Sequence, residues 1–261
     1  MIRAGIGGWN FDPWRGVFFP KGTAKARELH YASRQVTTIE VNGTYYSTFK
    51  PNSFRKWHGE TPGDFVFSLK ANRFATNRRV LADAKPSIAR FLESGVSELK
   101  TKLGPILWQF MHTKKFDAGD FEAFLALLPK TIDGLTLRHA VEPRHESFCV
   151  PQFVALARKY NVAIVFADSP KYPAIADATA DFVYCRLQDA QEKVPTGYKP
   201  AALKKWAETA KAWQSGATPN GMTLIGKAPA RRKRDVFVYF IAGAKVRNPA
   251  AAMAFLAAVK K

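Results

Sequence analysis

The chain has 261 residues, 47% of them hydrophobic and 23% charged, a balance that excludes disorder as its default state. That length is normal for one α/β barrel, which needs about 250 residues, so residues 1–261 are expected to form a single domain. Lys and Arg outnumber Asp and Glu by 40 to 21, a formal charge of +19; such a surface attracts polyanions, yet it governs encounter and solubility rather than fold.

In chain order, Met1-Ile2-Arg3-Ala4-Gly5 lacks the apolar core of a signal peptide. Residues 3–8 then read as a first buried strand, followed by a helix over 25–34 and a second strand over 37–41. A third strand at 65–69 and a helix at 86–100 lead to a fourth strand at 106–110. Phe121, Phe124, Leu125 and Leu128 share one face of a helix over 121–128. Strands at 135–141, 162–167 and 182–187 alternate with helices at 151–160 and 201–214. The Gly/Pro-containing basic stretch 216–235 reads as a long loop, and a last strand at 236–241 precedes a helix at 249–259. The strand runs are short, continuous and rich in β-branched and aromatic residues, as buried parallel strands are.

Eight such runs alternating with helices favour a parallel sheet with right-handed crossovers, closed into a TIM-like (β/α) barrel. An open doubly wound sheet is the alternative, but Gly5, Gly7 and Gly8 lack the third glycine of GxGxxG. No apolar run approaches the ~20 residues that span a bilayer, so no membrane partner is expected. Cys149 and Cys185 show no paired spacing, which points to reduced thiols and a cytoplasmic location.

Several spaced motifs resemble one family. Gly7-Gly8-Trp9-Asn10, Trp14-Arg15-Gly16 and Phe18-Phe19-Pro20 are similar to the opening of the DUF72/YecE-like family. Further matches are Glu40-Val41-Asn42-Gly43-Thr44-Tyr45-Tyr46, Leu103-Gly104-Pro105 with Gln109, and Glu142-Pro143-Arg144-His145. The resemblance runs nearly end to end and implies a barrel fold, without implying a reaction. The chain departs from the family pattern at Asn77, Met111-His112, Gln188-Asp189 and Ile241-Ala242, so a role tied to those family positions does not carry over.

In a barrel, sites are built at the carboxyl ends of the strands. Those ends offer Trp9, Glu40, Asn42, Lys70, Gln109, Glu142, Arg144, His145, Asp168, Arg186 and Tyr239, with Tyr45 in the loop after the second strand. Charged groups there are costly to bury unless paired or used. Glu40 and Glu142 are candidate acid and base, provided their environments separate their pKa values; the competing expectation is a structural ion-pair network. Lys70, Arg144 and Arg186 suit a phosphate or carboxylate. Trp9 and Tyr45, with Trp14 and Tyr46, offer ring faces to a sugar or base, or else serve as packing.

Glu40, Glu142, His145 and Asp168 are also a conceivable metal set, but the chain has only five histidines; no metal or cofactor is expected, and His145 reads as a hydrogen-bonded loop residue. The leading expectation is therefore an enzyme, or degenerate enzyme, that binds a small anionic ligand at the barrel mouth, with hydrolysis and isomerisation both open. The alternative is a non-catalytic nucleic-acid-binding protein driven by its charge, with Arg231, Arg232, Lys233 and Arg234 at the opposite end of the barrel. A structural or partner-binding barrel is a third expectation. Oligomeric state is not legible.

Overall fold

The computed structural model describes residues 1–261. Eight strands, β1 (Ile2–Gly7), β2 (Thr38–Val41), β3 (Val66–Lys70), β4 (Leu103–Gln109), β5 (His139–Glu142), β6 (Ala163–Asp168), β7 (Phe182–Leu187) and β8 (Asp235–Phe240), pair in sequential order into a closed parallel barrel. Closure rests on β1 against β8, from Ile2 opposite Val236 to Ile6 opposite Phe240. That pairing removes the edges that an open doubly wound sheet would leave. Gly5 makes a close approach possible: a Cβ there would run into the carbonyl of Thr38 on β2.

Helices α1 (Glu28–Gln35), α2 (Pro51–Glu60), α3 (Lys85–Leu92), α4 (Ala118–Leu127), α5 (Pro151–Lys159), α6 (Pro200–Ser215) and α7 (Asn248–Lys260) form the outer layer. Helix α2 escaped the sequence pattern, although Pro51 stands in its first turn and Phe54 and Trp57, three apart, supply its buried face. The helix expected over 86–100 stops at Leu92, because Gly95 turns left-handed at φ 103 and starts a separate 3-10 stretch. The strand expected over 135–141 is also two elements. Asp133 and Gly134 both have positive φ, as a tight hairpin turn requires, and they fold Leu135–Thr136 back on Thr131–Ile132 before β5 begins.

One outer helix is missing: β6 and β7 are joined by the irregular stretch 169–181. The long loop expected at 216–235 fills that place. Gly216, at φ 85, ends α6, and the excursion then docks on the irregular stretch. The buried Asp177 carboxylate accepts the backbone N–H groups of Ile225 and Gly226 at 2.8 and 2.9 Å.

Period-two alternation sorts the strand residues into two cores. Outward-facing residues pack with the helices in a large cluster that includes Phe110, Phe121, Phe124, Phe148 and Phe153. Inward-facing residues, among them Leu107, Val165, Phe182 and Phe237, fill the barrel itself, so its axis is a packed core rather than a pore. Truncating one of these buried phenylalanines to Ala should cost about 3–5 kcal/mol. Above this apolar filling the inward row changes to hydroxyls and then to charge.

Candidate functional site

On β2, β3, β4, β5 and β7 the inward row ends in a polar or charged residue near the carboxyl end of the strand. Tyr184 and Arg186 alternate along β7, Ser68 and Lys70 along β3, and Glu40 and Glu142 close β2 and β5. Arg186 is the hub. Its Nε and Nη2 donate to Glu40 Oε2 and Oε1 at 3.1 and 3.0 Å, a two-point grip. Its Nη1 donates to Glu142 Oε2 at 2.6 Å. Arg144 adds bonds from Nε to Glu142 Oε1 at 3.0 Å and from Nη2 to Gln109 Oε1 at 2.7 Å. Tyr184, beneath the hub, donates its hydroxyl to Glu40 Oε2 at 2.6 Å.

Both carboxylates are fully buried, and every carboxylate oxygen takes at least one charged donor. Burial pushes the Glu142 carboxyl up, but Arg186, Arg144 and Lys70 outweigh it and hold the group below the ordinary carboxylate range. On Arg186, burial opposes the charge while Glu142 and Glu40 outweigh it and raise the pKa. Burial and the charge of Glu40 drive Tyr184 well above the usual phenol value. Glu142 is thus held ionised, and both carboxylates are saturated with donors. Such a network orients its members; a general base needs a lone pair turned toward substrate.

Lys70 differs from its neighbours. Thr44, in the turn after β2, places its hydroxyl oxygen 2.7 Å from the Lys70 carbonyl and 2.9 Å from the Val41 carbonyl, its one hydrogen serving either. That clip brings the Tyr45 ring under Lys70 Nζ, 4.0 Å from its centroid. The ammonium makes no hydrogen bond to the protein, although the residue is only 6% exposed. Burial first, and then Arg186, lower its pKa to about 8, against the opposing pull of Glu40 and Glu142. Counting the cluster, Lys70, Arg144 and Arg186 carry three positive charges against two on Glu40 and Glu142, which leaves one positive charge without a partner.

Of the residues expected at the site, Glu40, Tyr45, Lys70, Gln109, Glu142, Arg144 and Arg186 converge. Asn42 sits at the edge, its Nδ2 3.4 Å from the Glu40 carbonyl. Three lie apart. Trp9 packs edge-on against Trp57 and Phe67 in the outer layer, with centroids 5.3 and 6.3 Å away. His145 caps a short 3-10 turn, accepting from the Ser147 N–H at 3.1 Å. Asp168 follows Phe166 on the outward face of β6 and lines a separate cleft of about 550 Å³ with Asp189 and Trp206; burial, then Asp189, raises its pKa. Consequently Glu40, Glu142, His145 and Asp168 do not gather as a metal set. Trp14 is buried packing, its Nε1 donating to the Lys245 carbonyl at 2.9 Å.

Two participants were missed. Tyr172, in the irregular stretch after β6, stacks under Arg144 at 4.2 Å and accepts from its Nη1 at 3.2 Å. Nothing in the local sequence signals it. Gln188 continues the inward period of Tyr184 and Arg186, and its Nε2 is buried without an acceptor. The basic run lies below the opposite end of β8, and Arg234 is buried, donating to the Ala180 carbonyl at 3.1 Å.

A closed barrel of eight parallel strands with a charged, largely buried cluster at its carboxyl face defines a (β/α) barrel protein with its candidate site in the customary place. The chain belongs to the DUF72 family, whose model, described as a protein of unknown function, matches residues 3–261. Solved structures agree on the fold. A DUF72 family protein of Thermotoga maritima is 21% identical, with a TM-score of 0.76 and 100% of both chains covered. A DUF72 family protein of Enterococcus faecalis is 17% identical, with a TM-score of 0.72 and coverage of 100% of this chain and 96% of that one. No curated protein matches the chain.

Proposed function

We propose that this single-domain barrel binds a small anion, bearing a carboxylate or phosphate, at the carboxyl mouth of its strands. Lys70 and Arg144 are the contacting cations, and Glu40, Arg186, Glu142 and Gln109 form the floor that positions them. The observation that carries the reading is the Lys70 ammonium, at the end of a side chain only 6% exposed and without a protein acceptor, in a cluster with one positive charge to spare. An uncompensated buried charge is expensive, and a bound anion relieves it. The two unpaired cysteines, Cys149 and Cys185, favour a reducing, cytoplasmic location. No helix is long and apolar enough to cross a membrane.

Thermal unfolding in the presence of inorganic phosphate, acetate and pyruvate at pH 7 tests this. At about 100 times the dissociation constant, binding should stabilise the fold by roughly 2.7 kcal/mol, a rise in Tm of several degrees. The rise should vanish in Lys70→Met. An equal rise in the variant would place the anion elsewhere.

A second reading, nucleic-acid binding, draws on one observation. Tyr46 and Phe74 are 63% and 59% exposed on the mouth loops, and Arg73 and Arg79 beside Phe74 are exposed as well. Ring faces among cations suit single strands. This reading expects oligonucleotide affinity that falls steeply with salt and with Phe74→Ala, and is indifferent to Lys70→Met.

A further inference from the structure

Resting on the anion-site reading, we propose that Lys70 is a nucleophile that forms an imine with the carbonyl carbon of a small 2-oxo carboxylate held by Arg144. Four features of the mouth support this. First, the amine is unencumbered, since Lys70 Nζ sits 4.0 Å from the Tyr45 ring centroid and donates to no protein acceptor. Second, its surroundings disfavour the charged form. The groups that face it are Arg186 from β7, Arg144 from the loop after β5, Glu40 from β2, Glu142 from β5 and Tyr45 from the turn after β2. Both carboxylates are already gripped by Arg186, so neither is free to pair with the lysine. An amine desolvated beside other cations is the usual way to make lysine nucleophilic near neutrality. With a pKa of about 8, roughly one tenth of the amine is neutral at pH 7.

Third, the charge suits a monoanion. Arg144 uses three of its five N–H groups, on Glu142, Gln109 and Tyr172, which leaves two for a carboxylate. One carboxylate also cancels the one spare positive charge, which the iminium on Lys70 retains once the imine has formed. Fourth, Gln188 Nε2 is a buried donor without an acceptor at the top of the β7 row, and a ligand oxygen would satisfy it.

In the step itself the Lys70 lone pair attacks the carbonyl carbon, forming the C–N bond as the C=O π pair moves to oxygen. The carbinolamine hydroxyl then leaves with a proton as water. Amine, ketone and one proton give iminium and water, with no oxidant or reductant. The iminium draws electrons from the adjoining carbon, which is what an enzyme acting on bonds next to a carbonyl requires.

The test incubates the full-length protein with pyruvate or glyoxylate at pH 8, adds borohydride, and locates the reduced adduct by peptide mass mapping. The expected result is one saturable adduct on Lys70, formed faster as pH rises through about 8. Lys70→Arg should lose that adduct while retaining the pyruvate-induced rise in Tm. Arg144→Met should reduce labelling at least tenfold. A rise in Tm without an adduct on Lys70, or adducts scattered over surface lysines, overturns the imine and leaves the anion site standing. No rise in Tm with pyruvate or phosphate removes the anion site, and the imine with it.

Discussion

At the residue scale, the mouth shows how neighbours with opposite charge acquire different work. Glu40, Glu142 and Arg186 saturate one another and become scaffold, while Lys70 is left with a ring face and spare charge. That strain has a sign. The Lys70 pKa falls from 10.5 to about 8 on folding, so its contribution to stability is present above 10.5 and is lost as pH falls through 8. At pH 7 the buried ammonium is a net cost, and Lys70→Met should stabilise the fold by on the order of 2 kcal/mol, an advantage that shrinks as pH rises toward 10.5. Denaturant unfolding at pH 7 and pH 10 checks this; a variant less stable than wild type at pH 7 would mean that Lys70 is well paired.

His139 makes the opposite kind of buried residue, neutral and fully bonded. Trp108 Nε1 donates to its Nδ1 at 3.1 Å, and its Nε2 lies 2.7 Å from the Pro129 carbonyl, which only an Nε2–H tautomer satisfies. Burial lowers its pKa from 6.5 to about 4. Its stability contribution is therefore whole above pH 6.5 and disappears as pH falls through 4, about 3 kcal/mol in all. Unfolding free energies between pH 7 and 4 should fall less steeply in His139→Gln than in the wild type; identical slopes would show that the imidazole is not held neutral.

At the scale of elements, the departure from a regular barrel is the stretch after β6. Where a helix should cover the sheet, residues 169–181 run irregularly and the 216–234 excursion packs on them. Asp177 is the rivet, buried and accepting two backbone N–H groups. Asp177→Ala would leave both donors unpaired at a cost of about 1–3 kcal/mol. Limited proteolysis should then cut within 217–230 well before wild type is cut; unchanged resistance would show that apolar contacts alone hold the excursion. The same stretch carries Tyr172 to Arg144, so the missing helix is also what roofs the site.

For the whole molecule, the barrel was legible because eight apolar runs alternate with helices, and β7 falls on the expected residues. Period two then places Glu40, Lys70, Glu142 and Arg186 at one mouth, and the convergence of these four was accessible from sequence. Asp168 and Trp9 were assigned by proximity to strand ends, yet Asp168 is one residue out of phase and turns outward into the cleft beside Trp206, while Trp9 follows Gly8, whose φ of 74 swings the chain off the inward row and against Trp57. Tyr172 was illegible because an irregular loop has no period to read. The charge of +19 did not forecast the site either, since the basic run and the mouth lie at opposite ends of the barrel.

The account turns on the state of one amine, and that state is directly measurable. Reductive methylation with ¹³C-formaldehyde, with Lys70→Arg to assign the resonance, gives the titration of Lys70 by NMR. The account predicts an apparent pKa near 8 that moves upward when acetate or pyruvate saturates the mouth. A Lys70 resonance that titrates with the surface lysines and ignores both anions would contradict it.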